Sequence, residues 1–411
     1  MLTDATAHQP ALPQAEQAGH SAASPRELPR LTFVLINWNY GRYVGAAIDS
    51  IRAQDYPAFD CLVVDNGSTD NSRRVIADHV GNDARFTVMH LPANIGQLAA
   101  ALHVLDNVSS DYVCFVDSDD YIFPHFGSTH VQAHLVVPAS VGVTSSNIIE
   151  ITGDGTMLTA CPEDFARRTN SREIQEGAVR AIRLPQIDQP QFSTLIRAMR
   201  VIDKSTNGWL WVAGTANVYR RSALRLARLL LPDQIPVSFF QDTTFLCAAH
   251  LVHGSATIDL PLSSYRIHED NVGSAFCLLQ GFSTPKPSAK QRSRDQRCAH
   301  GASFIRNRSK IGEWLPRNQI WPALDQVMRC RREAKKTYYS SAPMLSALSD
   351  HFSEFYPELR SRRALASLRE GLSFTTLWKL SRRLDSARSR WAMRMRLLLI
   401  EAGRGLGSAH E

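Results

Sequence analysis

The chain contains no CxxC pair, and its seven cysteines, at 61, 114, 161, 247, 277, 298 and 330, are scattered. This spacing gives no zinc-binding pattern, and Cys61, Cys114 and Cys247 lie inside apolar runs. The expectation is reduced, buried thiols in a cytoplasmic setting, without a disulfide framework. The first residues carry no basic segment leading into an apolar one, so no secretory signal is read there. No stretch approaches the roughly 18 unbroken apolar residues of a spanning helix. A Gly-rich loop bearing Lys or Arg, which a triphosphate-using nucleotidyltransferase would want after its first strand, is also missing. Asn37-Trp38-Asn39-Tyr40 stands in that place.

What is present is ordinary in bulk and uneven in detail. Hydrophobic residues make up 44% and charged residues 21% of the 411, as in a soluble globular protein. The formal net charge is +7, yet residues 360–411 carry twelve Lys/Arg against four Asp/Glu, so the rest of the chain is close to neutral. The basic character therefore belongs to the tail. There, Arg388, Arg390, Arg394 and Arg396 interleave with Trp391, Met393, Met395 and the apolar run 397–400. Such a helix suits the surface of an anionic membrane, and 388–400 is read as a peripheral membrane contact, with a helix packed on the catalytic domain or paired with a partner chain as the alternative. No nucleic-acid-binding module accompanies the charge.

Residues 1–29, rich in Ala, Pro, Gln, Ser and Glu without apolar period, read as a disordered leader. From 31 to 120 the pattern alternates strand and helix: strands at 31–36, 61–64, 86–90 and 113–116, with helices at about 43–51, 70–79 and 97–107 between them. That alternation predicts an α/β fold, a mostly parallel sheet with helices on both faces. Ligands of such sheets collect beyond the carboxyl ends of the strands. Asn39, Asp65, Asn94 and Asp117 all fall just past those ends, so four polar loops are expected to face one crevice. Further on, 141–144 reads as a strand, 151–200 as a long loop with helical pieces, 222–231 as a helix, and Gln241-Asp242 as the opening of another. The expected division is a leader to 29, a sheet domain at 30–279, a linker at 280–300 and a basic helical region at 301–411.

The densest chemistry lies at Val113-Cys114-Phe115-Val116-Asp117-Ser118-Asp119-Asp120. An apolar run ends in three carboxylates within four positions. Carboxylates crowded at the end of a buried strand call for a positive partner. Asp oxygens suit Mg²⁺ or Mn²⁺, ions that keep coordination sites for substrate phosphates when held by one or two carboxylates. A plain acidic turn is the alternative for this stretch taken alone.

In order along the chain, Ile36-Asn37-Trp38-Asn39-Tyr40-Gly41, Val63-Val64-Asp65-Asn66-Gly67-Ser68-Thr69-Asp70, Asn94-Ile95-Gly96, Phe115-Val116-Asp117-Ser118-Asp119-Asp120 and Tyr265-Arg266-Ile267-His268 together resemble the family 2 inverting glycosyltransferases of the GT-A fold. The resemblance covers about 31–275. It implies a Rossmann-like GT-A domain that transfers a sugar from a nucleotide-diphosphate donor, UDP- or dTDP-linked, to a hydroxyl of a glycan or lipid-linked acceptor, in surface or secreted glycan synthesis. It implies that Asp65 receives the nucleobase, that Asp117 contacts the nucleotide ribose or a metal-bound water, and that Asp119 ligates Mn²⁺ or Mg²⁺. It also implies that Asp242 is the general base. Asn39, Asn94 and Arg266 are expected on the donor side, Arg266 as a phosphate partner, and His268 as a second metal or phosphate contact. The chain departs from the family where Gln241 replaces the usual Glu before Asp242, and where Ala101-Leu102 replaces an Arg-Asn pair. Those departures leave a second reading, a non-catalytic nucleotide-sugar-binding or scaffold protein on the same fold.

Overall fold

A computed structural model describes residues 28–161, 172–173, 184, 187–206, 208–212, 214–271, 274–277, 282–328 and 338–407. The disordered-leader reading of 1–29 falls almost wholly outside these residues.

Strand β1 (Leu31–Asn37) is buried at every position, as befits a central strand of a parallel sheet covered on both faces. It pairs in parallel with β2 (Phe59–Asp65) and β4 (Tyr112–Asp117), and β2 pairs in parallel with β3 (Phe86–His90). Helices α1 (Val44–Arg52), α2 (Ser72–Val80) and α3 (Gln97–Leu105) make the crossovers, matching the expected alternation. The alternating side chains of β1 serve two cores. Leu31, Phe33 and Leu35 join Ala47, Ile48, Ile51 and Phe126 on one face. Val34 and Ile36 join Leu98, Val104 and Phe245 on the other.

Beyond β4 the sheet becomes mixed. The expected strand at 141–144 is longer, β5 (Val143–Thr152), with β6 (Met157–Ala160) hairpinned onto it. After the short β7 (Arg172–Glu173) and α5 (Gln189–Ala198) comes β8 (Met199–Ile202). Strand β9 (Asn217–Arg220) lies antiparallel between β4 and β5, and β10 (Ser255–Ile267) runs parallel to β5. The stretch expected to be a helix at 222–231 is a 3-10 run, Arg221–Leu230. Helix α6 (Gln241–His253) starts where the sequence places it.

The reading of 280–300 as a linker is corrected. A hairpin of β11 (Ser274–Cys277) and β12 (Phe282–Pro285) straddles the supposed boundary at 279, and helix Pro287–Arg306 begins two residues later. The remaining helices include Ile320–Met328, Ala342–Phe355, Arg362–Gly371, Phe374–Leu380 and Ala387–Gly407. They share one core with the sheet domain, in which Phe245, Leu246 and Ala249 of α6 meet Phe304, Leu324, Val327 and Phe352. Helix α6 is accordingly buried almost all round, the signature of an interior helix. Among the described residues, no helix is long and apolar enough to cross a membrane.

Candidate active site at the carboxyl edge of the parallel strands

Strand register aligns the polar residues. Asn37 is level with Asp65, Asp65 with His90, and Ile36 with Asp117, so the strand ends form one row. Asp117 is the last residue of β4 and Asp65 the last of β2. Beyond β4 the chain turns at once, Asp120 N–H donating to the Asp117 carbonyl at 3.1 Å.

The three carboxylates at the end of β4 diverge in role. Asp120 points inward and is buried; its two oxygens accept from Thr215 Oγ1 at 2.8 Å and from Arg266 N–H at 2.8 Å. Burial, with the nearby Asp119 and Asp117, raises its pKa well above the usual carboxylate range. Asp117 accepts from Gln97 Nε2 at 2.5 Å, and its main-chain N–H donates to Thr215 Oγ1 at 3.0 Å. Burial pushes its pKa up to about 8, helped by the charges of Asp119 and Asp242. That coupling brings Asp242, in the first turn of α6, into the same cluster. Asp242 itself accepts from Thr243 N–H at 2.5 Å. Gly214, with φ +65°, supplies the remaining wall, since a Cβ there would come 2.3 Å from Asp117 Oδ2.

Asp119 keeps 14% of its side chain exposed and meets His268 Nε2 at 3.1 Å. His268 lies between Tyr40 and Tyr43, with ring centroids 5.4 and 4.9 Å away. Its Nδ1 accepts from Asp270 N–H at 3.2 Å, so in this arrangement Nε2 carries the proton that Asp119 accepts. Among the described residues no three His, Cys, Asp or Glu side chains form a closed ligand set. The donor set fits a hard divalent ion only as an open site: Asp119, with His268 in the tautomer that frees Nε2 and gives up the Nδ1 hydrogen bond from Asp270 N–H, and other positions left to phosphate and water.

Arg266 is placed differently from the expectation. Its Nε donates to the Asp119 carbonyl at 2.7 Å and its NH1 to the Thr152 and Gly153 carbonyls at 3.3 and 3.0 Å. The guanidinium is buried 4.9 Å from the ring of Tyr43. It braces the turn that carries Asp119.

Asp65 is fully buried at the end of β2. Ser68 N–H donates to Oδ1 at 3.2 Å, while Arg73 Nε and His90 Nδ1 reach Oδ2 at 2.7 and 3.3 Å. Burial works to raise its pKa, but the hydrogen bonds from Ser68, Arg73 and His90 outweigh it and the pKa is lowered. Arg73 and His90, about half exposed, are the outward-facing members of this trio. Asn39 and Asn94 bind loops together. Asn39, at φ 58°, accepts from Thr69 N–H at 2.7 Å. Asn94 Oδ1 accepts from Asn66 Nδ2 at 3.0 Å and Gly96 N–H at 2.8 Å.

Sequence reasoning missed Thr215, Gln97, Arg73 and His90. Only Gly214-Thr215 carried a visible signal, a glycine in a short polar break between Trp211-Val212 and β9. Trp211 is buried, its ring meeting that of His250 edge-on at 5.1 Å.

Residues 32–179 match the family described as "Glycosyl transferase family 2". The chain is 23% identical over 247 residues to the "Putative glycosyltransferase EpsH" of Bacillus subtilis, covering 60% of this chain and 63% of that protein. It is 32% identical over 95 residues to an uncharacterized glycosyltransferase of Haemophilus influenzae, covering 23% of this chain and 38% of that one. The chain thus spans less than two thirds of these relatives' lengths. Among solved structures it resembles S. aureus TarS 1-349 in complex with UDP-GlcNAc, at 15% identity and a TM-score of 0.46, covering 92% of each chain.

Proposed function

We propose that this chain, a family 2 glycosyltransferase with a GT-A domain, transfers a sugar from a UDP- or dTDP-linked donor to a hydroxyl of a glycan or lipid-linked acceptor, with inversion at the anomeric carbon. The observation that carries the reading is the meeting of Asp117, Asp119 and Asp242 at the carboxyl edge of the sheet, where burial and the charges of Asp119 and Asp242 raise the pKa of Asp117.

In this reading the nucleobase lies over Asp65, with Arg73 and His90 offering donors to its edge. Asn39 and Asn94 fix the loops that flank it, and Asp117, held by Gln97 and Thr215, faces the ribose. Asp119 with His268 would hold Mn²⁺ or Mg²⁺, which when bound supplies positive charge to the departing diphosphate. Asp242 takes the proton of the acceptor hydroxyl as its oxygen bonds to the anomeric carbon. The bond from that carbon to the diphosphate oxygen breaks on the opposite face, and the nucleoside diphosphate leaves. One base and correct positioning suffice, without a covalent intermediate.

The tail fits work at the cytoplasmic face of a membrane. Helix Ala387–Gly407 exposes Trp391, Met395, Leu398 and Leu399 at spacings of four, seven and eight residues, one helical face, beside exposed Arg388. A cationic segment with such a face suits an anionic bilayer.

The test of the chemistry is Asp242→Asn. Donor binding should persist, and transfer should fall by about 10²-fold or more, as expected for loss of a general base. Unchanged transfer would overturn the assignment, and unchanged binding with no transfer by the unaltered chain would favour a non-catalytic binding protein.

A further inference from the structure

Helix α6 has Phe240 at its N-cap and no side-chain cap. The support comes from 56 residues later in the chain. Phe240 N–H donates to Gln296 Oε1 at 2.9 Å, and Gln296 Nε2 donates to the Phe240 carbonyl at 2.7 Å and to Thr244 Oγ1 at 2.9 Å. Gln296 is fully buried. Its amide therefore grips the main chain of one residue from both sides, two positions before Asp242.

Neighbouring turns of helix Pro287–Arg306 add to the grip. Arg292 sits 5.5 Å from the ring of Phe240. His300 meets Phe239 edge-on at 6.1 Å and reaches Thr244 Oγ1 at 3.1 Å. Residues 292, 296 and 300 recur every four positions and so share one helix face. The loop before α6 also abuts the start of α3, because a Cβ on Gly96 would come 2.8 Å from the Val237 backbone. Gly96 precedes Gln97, the residue that holds Asp117.

We propose that Gln296 is a positioning residue for Asp242: by fixing the Phe240 main chain it aims the carboxylate at the acceptor hydroxyl. The proposal rests on Asp242 being the base. It makes the C-terminal region part of the catalytic apparatus, because an aspartate side chain is too short to correct for a displaced backbone. A displacement of about 1 Å in a reacting group can cost about 10²-fold in rate.

The experiment uses the full chain and release of UDP from UDP-glucose and UDP-N-acetylglucosamine, with water as acceptor. Water oxygen bonds to the anomeric carbon, its proton goes to Asp242, and UDP leaves. Gln296→Met preserves volume and removes the amide bonds. The expected result is a fall in kcat of about 10- to 100-fold, with KM for the donor and the UDP-induced thermal shift unchanged. In an Asp242→Asn background the same substitution should alter the residual rate by less than about twofold, since the two act as one unit. Additive losses, or a rise in KM at unchanged kcat, would overturn the proposal. An unchanged rate in Asp242→Asn alone would instead overturn the base assignment, and the proposal with it. Should Gln296→Met fail to fold, Gln296→Asn keeps a buried amide but is one methylene too short to hold both bonds to Phe240. A kcat-only loss there supports the proposal and full activity overturns it.

Discussion

The hydroxyl of Thr215 donates to Asp120 Oδ2 at 2.8 Å while accepting from the main-chain N–H of Asp117 at 3.0 Å. One side chain from the turn before β9 thus ties both ends of the turn that carries the carboxylates. Thr215→Val keeps the shape and leaves a buried N–H and a buried carboxyl oxygen each short of a partner. It should destabilise the fold by about 1–3 kcal/mol, whereas Thr215→Ser should stay near the parent. Urea unfolding of the two variants checks this, and equal stability of Val and Ser would refute it.

Gly214 is required twice over, by its φ of +65° and by the approach of Asp117 Oδ2 to within 2.3 Å of where a Cβ would stand. Gly214→Ala should displace the Asp117 carboxyl group and weaken nucleotide-sugar binding by about 10-fold or more, the order expected when a buried hydrogen bond is lost. Calorimetric titration with a UDP-sugar reads the loss.

Acid should weaken the fold through α4 (Phe126–Val136). His130 and His134 on this helix are fully buried, sharing Thr144 Oγ1 at 2.8 and 3.2 Å. Burial, then the nearby Arg220, lowers the His134 pKa to about 3, and burial lowers that of His130 well below its ordinary value. Above the unfolded pKa of about 6.5 both states are neutral and no stability is lost. As pH falls below that value the unfolded chain gains protons that the folded chain refuses, so stability declines down to the folded pKa. His134→Gln should flatten the decline between pH 6.5 and 4 in a series of melting curves, and an unaltered slope would contradict the account.

The exposed face of helix Ala387–Gly407 predicts partition onto anionic vesicles. Trp391 is 66% and Leu399 61% exposed. Full-length protein should sediment with phosphatidylglycerol vesicles and remain in solution with phosphatidylcholine. A Trp391→Ser, Leu399→Ser double variant should lose that partition. Equal partition of variant and parent would remove the membrane reading.

The parallel half of the domain is readable from the sequence because it is written in apolar runs: β1 and β4 are nearly continuous, and their polar ends are abrupt. Helix Pro287–Arg306 is harder. Its stretch of Lys, Gln, Arg and Ser resembles a linker because the residues it buries include Gln296 and His300, polar groups whose partners lie in α6. Arg266 is readable as a cation, while its pairing with the carbonyls of Asp119, Thr152 and Gly153 depends on strands distant in sequence. Thr215 illustrates the same limit, since its hydroxyl matters only once β9 has been laid beside β4.

The most direct test of the central claim is calorimetric and thermal-shift titration of nucleoside diphosphates, with and without Mn²⁺, on the unaltered chain and on Asp119→Asn. The account predicts stabilisation by UDP or dTDP that strengthens with Mn²⁺ and loses that Mn²⁺ dependence in Asp119→Asn. Indifference to every nucleoside diphosphate, or an undiminished Mn²⁺ effect in Asp119→Asn, would contradict it.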